Sequence, residues 1–167
     1  MKTKKDKISI INMGCSKNLI DSENIYTHLQ KNGYEVSFEK GDKDTNTVII
    51  NTCGFIHDAK TESIDKILQF VDLKNKGKLE KLFVTGCLSQ RYKEDLQNEI
   101  PEVDGFFGTE IKDIIDDFDI PYKNELLNER NPTTPPHYAY LKIAEGCREL
   151  VLFVLFPDLE ANILPEK

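Results

Sequence analysis

The chain has 167 residues, enough for one α/β domain with a substantial core and a modest extension. A formal net charge of −7 and a pI near 5.0 argue against a domain built mainly to grip phosphate backbones, a task that calls for a basic surface. The basic opening Met1 to Lys7 runs into too short an apolar segment for a secretory signal, and no apolar run approaches the roughly 20 residues of a membrane span.

A cytoplasmic protein without membrane contact is therefore expected. In that reducing compartment the four cysteines read as ligands, reactive groups or core residues before they read as disulfides.

In chain order, Ile8 to Met13 is mostly apolar, as in a strand buried on both faces, and runs into Gly14-Cys15. Asp21-Ser22-Glu23 predicts a helix start, with Ile25, Tyr26 and Leu29 as its inward stripe and Asn32-Gly33 as its end. Tyr34 to Phe38 alternates, which suits a more exposed strand. A charged loop (Glu39 to Thr45) leads to the apolar strand Val48-Ile49-Ile50, which delivers Cys53-Gly54.

A helix from about Asp58 to Leu73 follows, with Ile64, Ile67, Leu68 and Val71 at helical spacing. After Gly77 comes a strand over Lys81 to Thr85, then Gly86-Cys87, then a helix after Gln90 that stops at Pro101. Gly105 to Gly108 reads as a short strand, and Ile111, Ile114, Ile115 and Phe118 mark a last helix. Strand and helix alternate throughout, which predicts an α/β, flavodoxin-like, doubly wound parallel sheet. The expected domain spans residues 1–122. The polar, proline-rich stretch 123–137 reads as an interdomain linker. Residues 138–167 read as the start of a second domain, opening on a strand at Tyr138 that ends at Gly146-Cys147.

In an open parallel sheet, sites form outside the carboxyl ends of the strands. Cys15, Cys53 and Cys87 all fall on that edge, each beside a glycine. A lone cysteine at a strand end is more often a small buried hydrophobe than a ligand. Three at equivalent topological positions reverse that preference. Three soft thiolates suit an iron–sulfur cluster or a zinc ion. Other candidates are weaker. No GxGxxG or GxxxxGK[ST] pattern is present, so a flavodoxin-like binder of a small ligand lacks a phosphate loop. His28, His57 and His137 read as solvated or locally hydrogen-bonded, with only His57 near the thiols. Asp21 and Glu23 read as helix-start residues before acid catalysts.

Gly14-Cys15-Ser16-Lys17-Asn18-Leu19-Ile20-Asp21-Ser22-Glu23, Asn51-Thr52-Cys53-Gly54-Phe55-Ile56 and Gly86-Cys87-Leu88-Ser89-Gln90-Arg91-Tyr92 together resemble the N-terminal domain of the radical-SAM methylthiotransferases. The resemblance covers residues 8 to 147. Lys17-Asn18, Gly54-Phe55-Ile56, Arg91-Tyr92 and His137 to Lys142 look like the branch that modifies a ribosomal protein rather than the tRNA branch.

The resemblance implies that Cys15, Cys53 and Cys87 bind an auxiliary [4Fe–4S] cluster whose open iron holds the sulfur to be donated. It implies a following barrel that binds a second [4Fe–4S] cluster through CxxxCxxC and cleaves S-adenosylmethionine. The implied target is the β-carbon of an aspartate in small-subunit ribosomal protein 12, met free or on the ribosome by a monomeric enzyme. The competing readings are a non-catalytic iron–sulfur or zinc module and the tRNA branch.

Cys147 matches the first cysteine of CxxxCxxC, but no cysteine follows it, so it is the remnant ligand of the second cluster. Codons for Glu149 to Phe156 can be chosen so that a shifted frame reads Thr-Cys-Ser-Phe-Cys-Ala-Ile-Pro, which restores the motif. Residues 149–167 are therefore expected to be out of frame after a single-nucleotide shift near Arg148. Such a chain would not cleave S-adenosylmethionine. Its apolar stretches at Tyr138 to Ile143 and Leu150 to Phe156 would be aggregation hazards.

Overall fold

The computed structural model describes residues 7–39, 45–123, 126 and 129–142. The described residues form five strands, β1 (Lys7–Asn12), β2 (Glu35–Phe38), β3 (Thr47–Thr52), β4 (Lys81–Gly86) and β5 (Gly105–Phe106), and four helices, which alternate except that β3 follows β2 directly in element order. The helices are α1 (Ser16–Lys31), α2 (His57–Asn75), α3 (Cys87–Glu99) and α4 (Ile111–Asp117). All strand pairs are parallel and the order is β2-β1-β3-β4-β5. This is the flavodoxin-like arrangement expected from the alternation, with its topological switch point between β1 and β3.

The strands are apolar on both faces because both faces are covered. On one side Ile11, Val48, Ile50, Leu82 and Val84 pack with Ile67, Phe70 and Val71 of α2, Leu88 and Leu96 of α3, and Ile100 just past its end. On the other, Ile8, Ile10, Ile49 and Phe83 meet Ile25 and Leu29 of α1 and Ile114 and Ile115 of α4. Alternate residues of one strand thus feed two different cores, which explains why β1, β3 and β4 read as continuous apolar runs.

Two helices begin earlier than their sequence signals. The first starts at Ser16, not at Asp21, because Cys15 itself takes the extended N-cap conformation (φ −77°, ψ −174°) and its carbonyl accepts from Leu19 N at 3.0 Å. Asp21 and Glu23 therefore lie inside the helix, not at its start. Similarly, α3 starts at Cys87 and not after Gln90, because Gly86 makes the turn with φ +101°; a non-helical Tyr92 then kinks it. In α2, Ile67 and Val71 face inward as expected, but Phe70 and Ser63 complete the buried face and Leu68 is exposed.

The described part of the proline-rich segment is fastened along α1. Lys31 pairs with Glu129 at 2.6 Å, and Asn131 N donates to Thr27 Oγ1 at 3.4 Å. The buried Glu23 carboxylate accepts from Thr133 N at 2.6 Å and Thr133 Oγ1 at 2.8 Å, and Arg130 Nε reaches its other oxygen at 3.2 Å. Arg130 Nη2 also donates to the Tyr140 carbonyl at 2.6 Å. Finally Lys142 Nζ contacts both Asp21 oxygens, at 2.7 and 2.9 Å. The partners on α1 run 31, 27, 23, 21, so the segment is led from the helix C-terminus toward Cys15.

Tyr138–Lys142 does not form the strand expected there: among the described residues it pairs with no strand, and its polar groups are tied to Arg130, Thr134 and Asp21. Tyr138, Tyr140 and Leu141 stay exposed.

Removing the charge at the Glu23 latch should free this segment. Breaking one partner of a buried ion pair typically costs about 3–5 kcal/mol, and here the segment can detach without unfolding the sheet. In Glu23→Gln, limited proteolysis should cut within 129–142 much faster than in the wild type, while residues 7–122 stay resistant.

Candidate functional site

Cys15, Cys53 and Cys87 follow β1, β3 and β4, three neighbouring strands that flank the switch point. Cys15 is exposed, Cys87 half-buried and Cys53 buried, so the three thiols line the carboxyl edge from solvent to core. Cys15 and Cys87 sit at the N-terminal ends of α1 and α3, where the helix dipole favours anionic sulfur.

The backbone at this edge is closely packed. A Cβ on Gly54 would lie 2.7 Å from the Cys87 carbonyl oxygen and 2.9 Å from Leu88 N, so the turn after Cys53 rests directly on the first turn of α3. Gly86 combines its positive φ with a Cβ position 2.5 Å from the Thr52 carbonyl. Only glycine satisfies both conditions.

A polar layer underlies the thiols. Asn12, Asn51 and Thr85 are in register across β1, β3 and β4. Asn51 Nδ2 donates to the Asn18 carbonyl at 2.9 Å and to Ser22 Oγ at 3.0 Å. Asn18 Nδ2 donates to Asn51 Oδ1 at 2.8 Å and to the Thr52 carbonyl at 3.2 Å. The Asn18 side chain also touches two thiols: Cys15 Sγ donates to its Oδ1 at 3.3 Å, and its Nδ2 lies 4.0 Å from Cys87 Sγ. The Cys53 N–H donates to Ser63 Oγ at 3.4 Å.

Burial pushes the Cys87 thiol above its ordinary pKa; Cys15, Cys53 and Asp21 push it the same way, and the Asn18 hydrogen bond partly opposes them. Cys87 thus feels both other thiols, and Asp21 also borders this neighbourhood. A thiol held more tightly protonated when folded contributes stability below its unfolded pKa, near 8.5, and loses it as pH rises through the folded value. Denaturant titrations of the metal-free protein should therefore show stability falling above about pH 8.5. Cys87→Ala should flatten that slope.

Among the described residues, no three His, Cys, Asp or Glu side chains are gathered so as to hold a single metal ion. His28 is fully buried rather than solvated; it bonds to the Asn24 and Lys123 carbonyls and stacks on Tyr122. Exposed His57 opens α2, and His137 sits against Tyr138. Cys147 lies outside the described residues.

The sequence reading missed Asn18, Asn51, Ser22 and Ser63 as parts of the site. A signal was there for Asn51: an asparagine ending a run of β-branched residues needs a buried polar partner.

Fold and site together define a class, a doubly wound α/β domain that carries one thiol at the carboxyl end of each of three adjacent strands. The chain belongs to the family described as Uncharacterized protein family UPF0004, whose family model matches residues 7–108. It is similar to the ribosomal protein uS12 methylthiotransferase RimO of Cytophaga hutchinsonii, with 52% identity over 159 residues that cover 95% of this chain and 36% of that protein. The corresponding protein of Flavobacterium johnsoniae is 53% identical over 161 residues, covering 95% and 37%. That of Bacteroides thetaiotaomicron is 48% identical over 155 residues, covering 92% and 36%. The chain spans about a third of the length of these curated relatives. Among the described residues, no helix is long and apolar enough to cross a membrane.

Proposed function

We propose that this chain is the sulfur-donor part of a methylthiotransferase acting on ribosomal protein uS12, and that Cys15, Cys53 and Cys87 bind its auxiliary [4Fe–4S] cluster. The observation that carries this reading is the delivery of one thiol by each of three adjacent strands at the switch point. Three thiolates suit an iron–sulfur cluster or a zinc ion, and the family resemblance favours the cluster. A cluster gives each cysteine a different iron and so spreads its ligands. When bound, it would offer one iron without a protein thiolate, where a sulfur to be donated can sit.

The protein's own contribution is to hold the three thiolates, leave the Cys15 side open, and bury the Cys53 side against water. Similarity to uS12 methylthiotransferases supports uS12 as the target and favours it over a tRNA; the β-carbon of an aspartate in it is the position that the family resemblance implies. The same reading assigns Cys147 to a second [4Fe–4S] cluster that works with S-adenosylmethionine in a following domain, with 1–122, 123–137 and 138–167 as cluster domain, linker and start of the barrel. It also holds residues 149–167 to be out of frame, the chain to be inactive alone, and the working enzyme to be a cytoplasmic monomer. Genomic DNA without TGT triplets in the shifted frame after codon 147 would remove the frame argument.

Anaerobic reconstitution of the purified 167-residue chain tests the central claim. About four irons and four sulfides per chain are expected for one such cluster. One zinc per chain, or no metal, would overturn it. Formation of 5′-deoxyadenosine from S-adenosylmethionine by this chain would overturn the proposed inactivity.

A further inference from the structure

Asn18 occupies the third position of α1, one turn beyond the N-cap Cys15. From that position a side chain commonly reaches back to the N-cap residue. Here it reaches the N-cap thiol and, across the edge, the thiol that opens α3.

We propose that Asn18 is the positioning residue of the thiol set: its Nδ2, whose two N–H groups are shared among Asn51 Oδ1, the Thr52 carbonyl and, at 4.0 Å, the Cys87 sulfur, and its Oδ1, which accepts from the Cys15 thiol, set the places of two of the three cluster ligands. This rests on the iron–sulfur reading above.

The orientation of the Asn18 amide follows from its partners. Asn51 Nδ2 spends its protons on the Asn18 carbonyl and Ser22 Oγ, so Asn51 Oδ1 is left as an acceptor. The Thr52 carbonyl can only accept. Both lie against the same end of Asn18, which must therefore be Nδ2. Its Oδ1 then faces Cys15. The side chain cannot swing away: it is 3% exposed, and it fills the place a Cβ on Gly14 would occupy, 2.3 to 2.5 Å from three of its atoms.

This arrangement treats the two sulfurs differently. As a metal-bound thiolate, Cys87 keeps an acceptor role and so keeps the Asn18 hydrogen bond. Cys15 loses its proton on ligation and can no longer donate to Oδ1. Its sulfur must turn away from Asn18, which its exposed position allows. The Asn18 contact thus holds Cys15 as a thiol and lets it turn away on ligation, while the Cys87 sulfur can keep its share of the Asn18 N–H groups. Hydrogen bonds to ligand sulfurs are among the determinants of a cluster's reduction potential. Removing the Asn18 donor should therefore move the potential negative.

The test compares anaerobically reconstituted wild type, Asn18→Asp and Asn18→Ser, each as the full chain. Iron and sulfide content, the electron paramagnetic resonance spectrum of the reduced cluster, and its midpoint potential are measured. With iron content near the wild-type value, a negative shift is expected in both variants, larger in Asn18→Asp because it adds a negative charge, together with an altered spectrum. An unchanged potential and spectrum in Asn18→Asp would overturn the role of Asn18 and leave the iron–sulfur reading intact. Loss of iron or of the fold in both variants would reduce Asn18 to a structural support and also overturn it. A wild type that takes up no cluster would end both readings.

Discussion

Replacing Cys15, Cys53 and Cys87 together by alanine is expected to abolish iron uptake under conditions in which the wild-type chain takes up about four irons, the content of one [4Fe–4S] cluster. The variant should remain folded. Cys15 is exposed and Cys87 half-buried, so Cys53 is the one buried sulfur of the three. Loss of so small a buried group costs on the order of 1 kcal/mol. Far-UV circular dichroism and denaturant midpoints check the fold, and iron and sulfide assays check the site. A triple variant that still binds about four irons per chain would place the ligands elsewhere. Cys147→Ala, in contrast, should leave the auxiliary content unchanged.

Gly54→Ala should strike the same site through packing, with no change in the ligands. The added methyl would meet the Cys87 carbonyl group at 2.7 to 2.8 Å and Leu88 N at 2.9 Å. These are backbone atoms in the first turn of α3, which cannot rotate aside as a side chain would. The turn after β3 must therefore move away from α3, carrying Cys53 away from Cys87. Overpacking of this kind costs about 1–3 kcal/mol. A lower denaturant midpoint at unchanged slope and a lower iron content per chain are both expected. Normal iron content in Gly54→Ala would mean that the Cys53–Cys87 spacing does not matter to the cluster.

The alternation of elements was legible because both cores draw on continuous apolar runs. Ile8 to Ile11, Val48 to Ile50 and Leu82 to Val84 are buried on both sides, and their shortness and β-branched content mark them as strands rather than buried helix segments. The ends of the elements were less legible. Asp21-Ser22-Glu23 is a sound helix-start pattern in isolation, yet Asp21 and Glu23 serve partners 121 and 110 residues away in sequence. Local rules cannot weigh a carboxylate against a lysine or arginine that only folding brings near. His28 shows the same limit: an ordinary helix residue by sequence, it is buried because Tyr122 closes over it.

The sequence alone determined the strand ends that carry Cys15, Cys53 and Cys87, because buried strands and the glycines beside each thiol leave local marks. It also determined the family resemblance, since the three motifs occur in order. Tertiary structure decided which polar side chains serve those thiols. Asn18, Asn51 and Ser22 lie on different elements, and only the β1–β3–β4 register and the seat of α1 join them into one network. It also decided that the described part of the proline-rich segment lies fastened along α1. Proline content constrains the backbone of such a segment but does not determine its path; the buried Glu23 carboxylate does, because a charge taken out of water must find its partners.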